Sequence, residues 1–180
     1  MPIWNLGSIN IDHVYQLDHL PLAGETIAAR QFSLGLGGKG ANQSVAAASA
    51  GAQTRHLGAM GVEDQWVIER LQSSGIGTDQ ILRMDQHVTG HAIILLDRQA
   101  ENSIIIHPGA NRALTVTALQ PSFDQIGPRD ILLIQNETNC QIEAAQAARK
   151  AGARVIYSAA PFDIEAVRAI MPHVSILAMN

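Results

Sequence analysis

The 180 residues are short of several things, and each shortage narrows what the chain can be. There is one cysteine, Cys140. A single thiol excludes an internal disulfide and fits a reducing compartment, the cytoplasm. Basic charge is scarce: 12 Lys and Arg stand against 16 Asp and Glu, for a net charge of −4. No block of Lys and Arg offers a local exception, which argues against nucleic acid as a partner. Long apolar runs are missing. "AIILL" and "DILLI" are short and bounded by polar residues, so no membrane span is expected. The opening "MPIWNLGSINID" has neither the basic start nor the apolar core of a signal peptide. Repeats and low-complexity segments are missing too. What remains is 47% hydrophobic, enough for one well-cored domain over 1–180.

Apolar spacing divides that domain into elements. "IWNLGSI" predicts a buried first strand. "HVYQLDHLPLAGETIAARQFSL", partly alternating and broken by Pro21 and Gly24, predicts strands exposed on one face, outside the main sheet. "ANQSVAAASAG" is a helix of good formers stopped by Gly51, and "TRHLGAMG" a strand. "EDQWVIERLQSSG" predicts a helix starting near Asp64 and ending before Gly75. "QILRM", "GHAIILLD" and "NSIIIHPG" are strand-like, the last two joined through "RQAE" as a hairpin. From Leu114 helix and strand alternate strictly: helix "TVTALQPSFDQI", strand "DILLIQ", helix "NCQIEAAQAARKAG", strand "RVIYS", helix "DIEAVRAIM", strand "SILAM". Such alternation predicts an α/β fold with a parallel sheet and right-handed crossovers. Its ligand crevice lies beyond the carboxyl ends of the strands.

The stretch "FSLGLGGKGANQSVAAASAGA", residues 32–52, holds the densest chemistry. Gly35, Gly37 and Gly40 spell G-x-G-x-x-G, but a dinucleotide fingerprint needs a strand before it and an acid at the end of the next strand. "TRHLGAMG" has no acid, and Glu63 and Asp64 come after it. A nucleotide P-loop needs Ser or Thr after Gly-Lys, and here Gly40 follows Lys39. A purely structural glycine turn accounts for the glycines but not for Lys39 and Asn42. Backbone N–H groups, the positive end of the following helix, and Lys39 and Asn42 together form a site for a small ligand. That site suits a neutral polyol or an anionic oxygen equally well.

"GSINIDHV" places Asn10 and Asp12 at the end of the first strand, two residues apart and on one face. An amide beside a carboxylate matches vicinal hydroxyls in donors and acceptors. "GSINIDHV", "PLAGETIAA" and "GLGGKGANQSVAAASAGA", in this order and spacing, resemble the ribokinase-like (PfkB) carbohydrate kinases. "HPGAN" at 107–111 and "LIQNE", ending in Glu137, extend the resemblance over essentially the whole chain.

The resemblance implies that residues 1–180 are the N-terminal part of one Rossmann-like α/β domain whose C-terminal part is absent: a mostly parallel sheet flanked by helices, with a small β-sheet lid at about 13–34 and 90–107. It implies that Asn10, Asp12, Gly37, Gly38, Lys39, Asn42 and Glu137 hold a sugar, which makes the glycine loop a sugar clamp. Asn180 falls where the family begins an "N-x-x-E" motif whose asparagine meets nucleotide phosphate. The implied reaction is phosphorylation of a sugar hydroxyl, ribose first among candidates, with ATP, magnesium and a monovalent cation, in a homodimer joined through the lid. The family's "GAGD" turn, which carries the catalytic base, is not in this sequence, so no catalytic residue is assigned and the 180 residues alone are expected to be inactive. Ser158 in "SAAP" replaces a usual asparagine, and Val67 a usual glycine.

The rival readings are a sugar- or nucleoside-binding chain without kinase activity and, on G-x-G-x-x-G alone, a dinucleotide oxidoreductase. Other features read as structural. His87 and His91 in "HVTGH" are unlike a helical pair, so no metal site is expected there. Trp4 and Trp66 read as core, Cys140 as a buried residue at a helix start, and Glu101 as a solvated turn charge. Taken by itself, Glu137 reads as a charge at a helix N-terminus.

Overall fold

A computed structural model describes residues 1–179. Its elements follow the predicted alternation. The first strand, β1 (Ile3–Leu6), leads into β2 (Asn10–Gln16) and β3 (Gln31–Gly37), then α1 (Lys39–Ser49), β4 (Thr54–Gly61) and α2 (Gln65–Ser73). Four strands follow: β5 (Ile76–Gly77), β6 (Ile81–Met84), β7 (Gly90–Leu96) and β8 (Asn102–His107). A 3-10 turn at Gly109–Arg112 precedes the last repeat of alternation: α3 (Val116–Phe123), β9 (Ile131–Gln135), α4 (Gln141–Lys150), β10 (Arg154–Ser158), α5 (Ile164–Ile170) and β11 (Ile176–Ala178).

Two sheets result. The larger has the order β11-β10-β9-β1-β4-β5, with β6 also pairing with β4, and every pairing in it is parallel. Because β1 is flanked by β4 on one side and β9 on the other, the chain reverses its direction of travel between β1 and β9. Their carboxyl ends therefore diverge into a crevice. The smaller sheet, β3-β2-β7-β8, is the lid. It is antiparallel except for β2 and β7, and its register sets Asn10 beside both Gly37 and Gly90. The fold is thus the expected α/β arrangement, a parallel main sheet flanked by helices with a second small sheet.

The core forms because the strand runs are apolar on both faces. Trp4, Leu6, Leu57, Leu132, Ile134 and Val155 are buried between helices that present alanines, such as Ala144, Ala145 and Ala148. Small residues let those helices approach the sheet closely. Trp4 is core as expected, its indole N–H donating to Asp130 at 2.9 Å. Trp66 is not: at 37% exposure it lies on the outer side of α2. The helical pattern that buries Val67, Ile68 and Leu71 turns position 66 outward. Pro121 sits inside α3 and does not end it; the helix continues to Phe123.

Beneath α1 the core becomes polar. Asn5 donates to the Gly40 carbonyl (2.7 Å) and to Ser44 Oγ (2.8 Å). Gln135 donates to Asn5 Oδ1 (2.7 Å) and Gln43 Oε1 (2.8 Å). His56 lies 2.8 Å from Ser44 Oγ through Nδ1 and 3.1 Å from the Gly7 carbonyl through Nε2. A carbonyl only accepts, so Nε2 carries the proton and Nδ1 accepts from Ser44. Burial pushes the His56 pKa down to about 4, the Gly7 bond opposing the shift. This network, in which Gln135 Oε1 alone is buried without a partner, fixes α1 over β1, β4 and β9 at once.

That network carries a pH signature. Unfolded His56 takes a proton near 6.5, the folded ring only near 4. Neutral His56 therefore supports the fold fully above pH 6.5, and its support is lost as pH falls toward 4, at no more than about 1.4 kcal/mol per pH unit. Urea unfolding of the wild type and His56→Gln across pH 7 to 4 checks this. The wild type should lose stability faster than the variant over that window; parallel curves would assign the acid sensitivity elsewhere.

Candidate active site

The site begins with the glycine turn into α1. Gly38, the residue before the helix, has φ 89°, a conformation that side-chain-bearing residues rarely adopt. A Cβ at Gly37 would overlap the Asp12 carboxylate, so glycine there is what lets the acid lie against the turn. The first turn of α1 then directs the positive end of its dipole toward the crevice, its leading N–H groups met by Glu137 and Ser8.

Glu137 fills that position. Its Oε2 accepts from the Lys39 backbone N–H at 3.0 Å and from the Ser8 hydroxyl. Its Oε1 pairs with the Lys39 ammonium at 3.2 Å. Ser8 Oγ also accepts from the Gly40 N–H at 3.3 Å. Glu137 is indeed a charge at a helix N-terminus, but of α1, reached from 98 residues away, and not of the helix that follows it. One carboxylate thereby joins the loop after β9 to the loop after β1 and to the glycine turn.

Asn10 and Asp12 arrive from the other side. They are not at the end of the first strand but at the start of β2, the first lid strand. The two-residue spacing still puts them on one face. Asn10 is 5% exposed, and its Oδ1 accepts from Asn111 Nδ2 at 2.8 Å. Asp12 is half-buried, and its pKa is raised first by desolvation and then by Glu137, while His13 and Lys39 pull it back. No hydrogen bond to the Asp12 carboxylate contributes to that balance. An acid without a hydrogen-bond donor among the described residues, beside a second acid, is placed to accept from a ligand.

A cavity of about 210 Å³ lies at this seam, walled by Ser8, Asn10, Asn111, Arg112, Asn136 and Glu137, with Ile106 of the lid over it. Of the residues expected to hold ligand, Asn10 and Glu137 line it directly. Gly37, Gly38 and Lys39 form the turn to which Glu137 is bound, and Asp12 joins them through charge. Asn42 stands apart, exposed on the first turn of α1. Asn180 lies outside the described residues. Reading the sequence missed Ser8 and singled out Asn111 only as part of a motif. Asn111 accepts from the Ile9 N–H (2.9 Å) and donates to the Ile9 carbonyl (3.1 Å), pinning the lid hinge from 102 positions away. Nothing local to either residue signals these contacts.

Chemically, the seam offers two carboxylates, one ammonium, one amide and backbone N–H groups, at a topological switch point. That set matches several adjacent hydroxyls. Comparison with known proteins shows the family. The model of the pfkB family of carbohydrate kinases matches residues 3–180. A ribokinase from Haemophilus influenzae is 38% identical over 163 residues, 88% of this chain and 53% of that protein. The ribokinase structure from Thermotoga maritima superposes with a TM-score of 0.87 at 33% identity, covering all of this chain and 59% of that one. The Arabidopsis thaliana ribokinase complexed with ribose and ATP gives 0.84 at 29% identity, covering 99% and 60%. The chain spans about half the length of the curated relatives it matches. It belongs to the pfkB family of carbohydrate kinases.

The strained charge at Asp12 predicts a trade between stability and function. A carboxyl whose folded pKa is raised penalises the ionised fold. The penalty is present at neutral pH, shrinks as pH falls through the raised value, and vanishes below the ordinary 3.8. Asp12→Asn should therefore melt higher than wild type at pH 7 and equal to it at pH 3.5. A variant less stable at pH 7 would show that Asp12 supports the fold.

Proposed function

We propose that this chain supplies the sugar grip of a ribokinase-type kinase, which phosphorylates a sugar hydroxyl with ATP and magnesium, ribose being the leading substrate. The observation that carries the reading is the convergence of Asp12 and Glu137, with Lys39, at the mouth of one cleft between lid and sheet. The Arabidopsis relative binds ribose and ATP in its solved structure, which supports the choice of ligands. Asn10 and Asp12 would hold vicinal hydroxyls, Lys39 and Glu137 a further one, and Gly37 and Gly38 let the backbone close on the ring. Asn42 would join them only if the ligand or the lid reaches it. Among the described residues no group of three His, Cys, Asp or Glu could hold a metal ion. Their share of the chemistry is to bind and orient the sugar and keep water from it. ATP, magnesium and a monovalent cation belong to the reaction of the whole enzyme, with Asn180 on the nucleotide side.

The lid suggests how the cleft is closed. Every residue of β8 is exposed, and Phe32, Leu34, Ile104, Ile105 and Ile106 are open apolar surface. β3 and β8 are unpaired edges, which invite cover by another sheet. Association of two copies through the lid supplies it, and sedimentation at high concentration should give a dimer; a folded monomer would count against the lid interface. No helix among the described residues is long and apolar enough to cross a membrane. With the lone thiol, that fits a cytoplasmic enzyme.

A second reading, a sugar or nucleoside binder that does not phosphorylate, rests on the missing "GAGD" turn. ADP release with ribose, ATP and magnesium separates the two. Both readings require the grip, so it is tested first. Calorimetry with ribose should show Asp12→Ala losing about 1.5–3 kcal/mol of binding, the range for hydrogen bonds to a charged group. Unchanged affinity in a variant that still folds would overturn the assignment.

A further inference from the structure

One group in the cavity wall does not suit a hydroxyl. Arg112 ends the 3-10 turn after β8, and its Nη1 donates to the Thr138 carbonyl at 3.0 Å. That partner is neutral. Arg112 is exposed, and no ion pair to it occurs among the described residues; Arg55, Arg70, Arg83, Arg129, Arg149 and Arg154 likewise lack one there, but of these Arg112 is the one that lines this cavity. A guanidinium has five N–H donors, so most of its donor capacity and all of its charge are left over.

Its placement is fixed from two directions. The neighbouring Asn111 is buried and bonded to Ile9 and Asn10, which locks the Arg112 backbone to the residue expected to meet the sugar. The Thr138 carbonyl, one residue past Glu137, holds the side chain. The cavity between them takes its walls from the loops after β1, β9 and β10, through Ser8, Glu137 and Pro161. It therefore runs from the lid hinge at Ser8 and Asn10 along the carboxyl ends of the sheet. One wall carries an amide and a carboxylate for hydroxyls; another carries a planar, permanently charged donor that matches phosphate oxygens in pairs.

We propose that Arg112 forms an anion subsite that receives a phosphate group carried by the sugar. The phosphate identity rests on the kinase reading above, because a sugar that leaves such a site bears a dianionic ester where a neutral hydroxyl stood. The anion preference itself rests only on Arg112 and the cavity. Arg112 is a binding residue that discriminates the phosphorylated from the free sugar.

Inorganic phosphate is the probe, titrated into the purified chain by calorimetry, with acetate as the control anion and ribose measured in parallel. Wild type should bind phosphate saturably and more tightly than acetate. Arg112→Gln keeps a donor for the Thr138 carbonyl but loses the charge; it should weaken phosphate on the order of tenfold or more and leave ribose affinity unchanged. Arg112→Lys should recover part of the loss. No phosphate binding by wild type, equal binding of acetate, or an unaltered Arg112→Gln would each overturn the subsite. If phosphate needs Arg112 while ribose does not bind at all, the subsite stands and the sugar reading falls.

Discussion

The structure turns on one carboxylate. Glu137 leaves the end of β9, crosses the switch point and settles on the first turn of α1, where a backbone N–H, an ammonium and the Ser8 hydroxyl meet it. An anion at a helix N-terminus is favourable in any protein. Here it also ties the loop after β9, the loop after β1 and the glycine turn into one rigid corner. Without it the Lys39 N–H and ammonium would lose their carboxylate partner, while Ser8 would still hold the N–H groups of Gly40 and Ala41. The polar network of Asn5, Ser44, His56 and Gln135 does the same work from below, so the turn is held on both sides.

Against that corner the lid brings Asn10 and Asp12. The hinge between lid and sheet is short: β1 ends at Leu6 and β2 begins at Asn10. Asn111 spans it with bonds to the Ile9 backbone and to Asn10, so the turn after β8 and the start of β2 move together. Substrate hydroxyls would bridge a fixed corner and a tethered lid strand. Asp12, half-buried and without a hydrogen bond among the described residues, is where the proposed bridging would cost the fold stability.

Much of this was legible in the residues. Strict alternation after Leu114 gave the parallel sheet, and the Pro21 and Gly24 breaks separated the lid from it. The turn into α1 was readable from its glycines, and Gly38 indeed takes a positive φ there. What failed were positions whose meaning depends on distant partners. Asn10 and Asp12 looked like the end of the first strand because local spacing cannot say where a strand changes sheets. Trp66 looked like core because size alone does not fix which face of α2 it occupies. Asn42 is exposed although its helix is buried on one side. Ser8, His56 and Arg112 carry no local signal; their partners lie 12 to 129 residues away.

The central claim is that Glu137 and the glycine turn form one corner that closes on a polyol. Amide-resolved NMR during a ribose titration tests it most directly. The account predicts that the amides of Gly37, Gly38, Lys39 and Glu137 shift together with one saturation curve, joined by Asn10 and Asp12 across the seam. Shifts confined to the lid, or a response of the glycine turn to a nicotinamide dinucleotide and not to ribose, would contradict it.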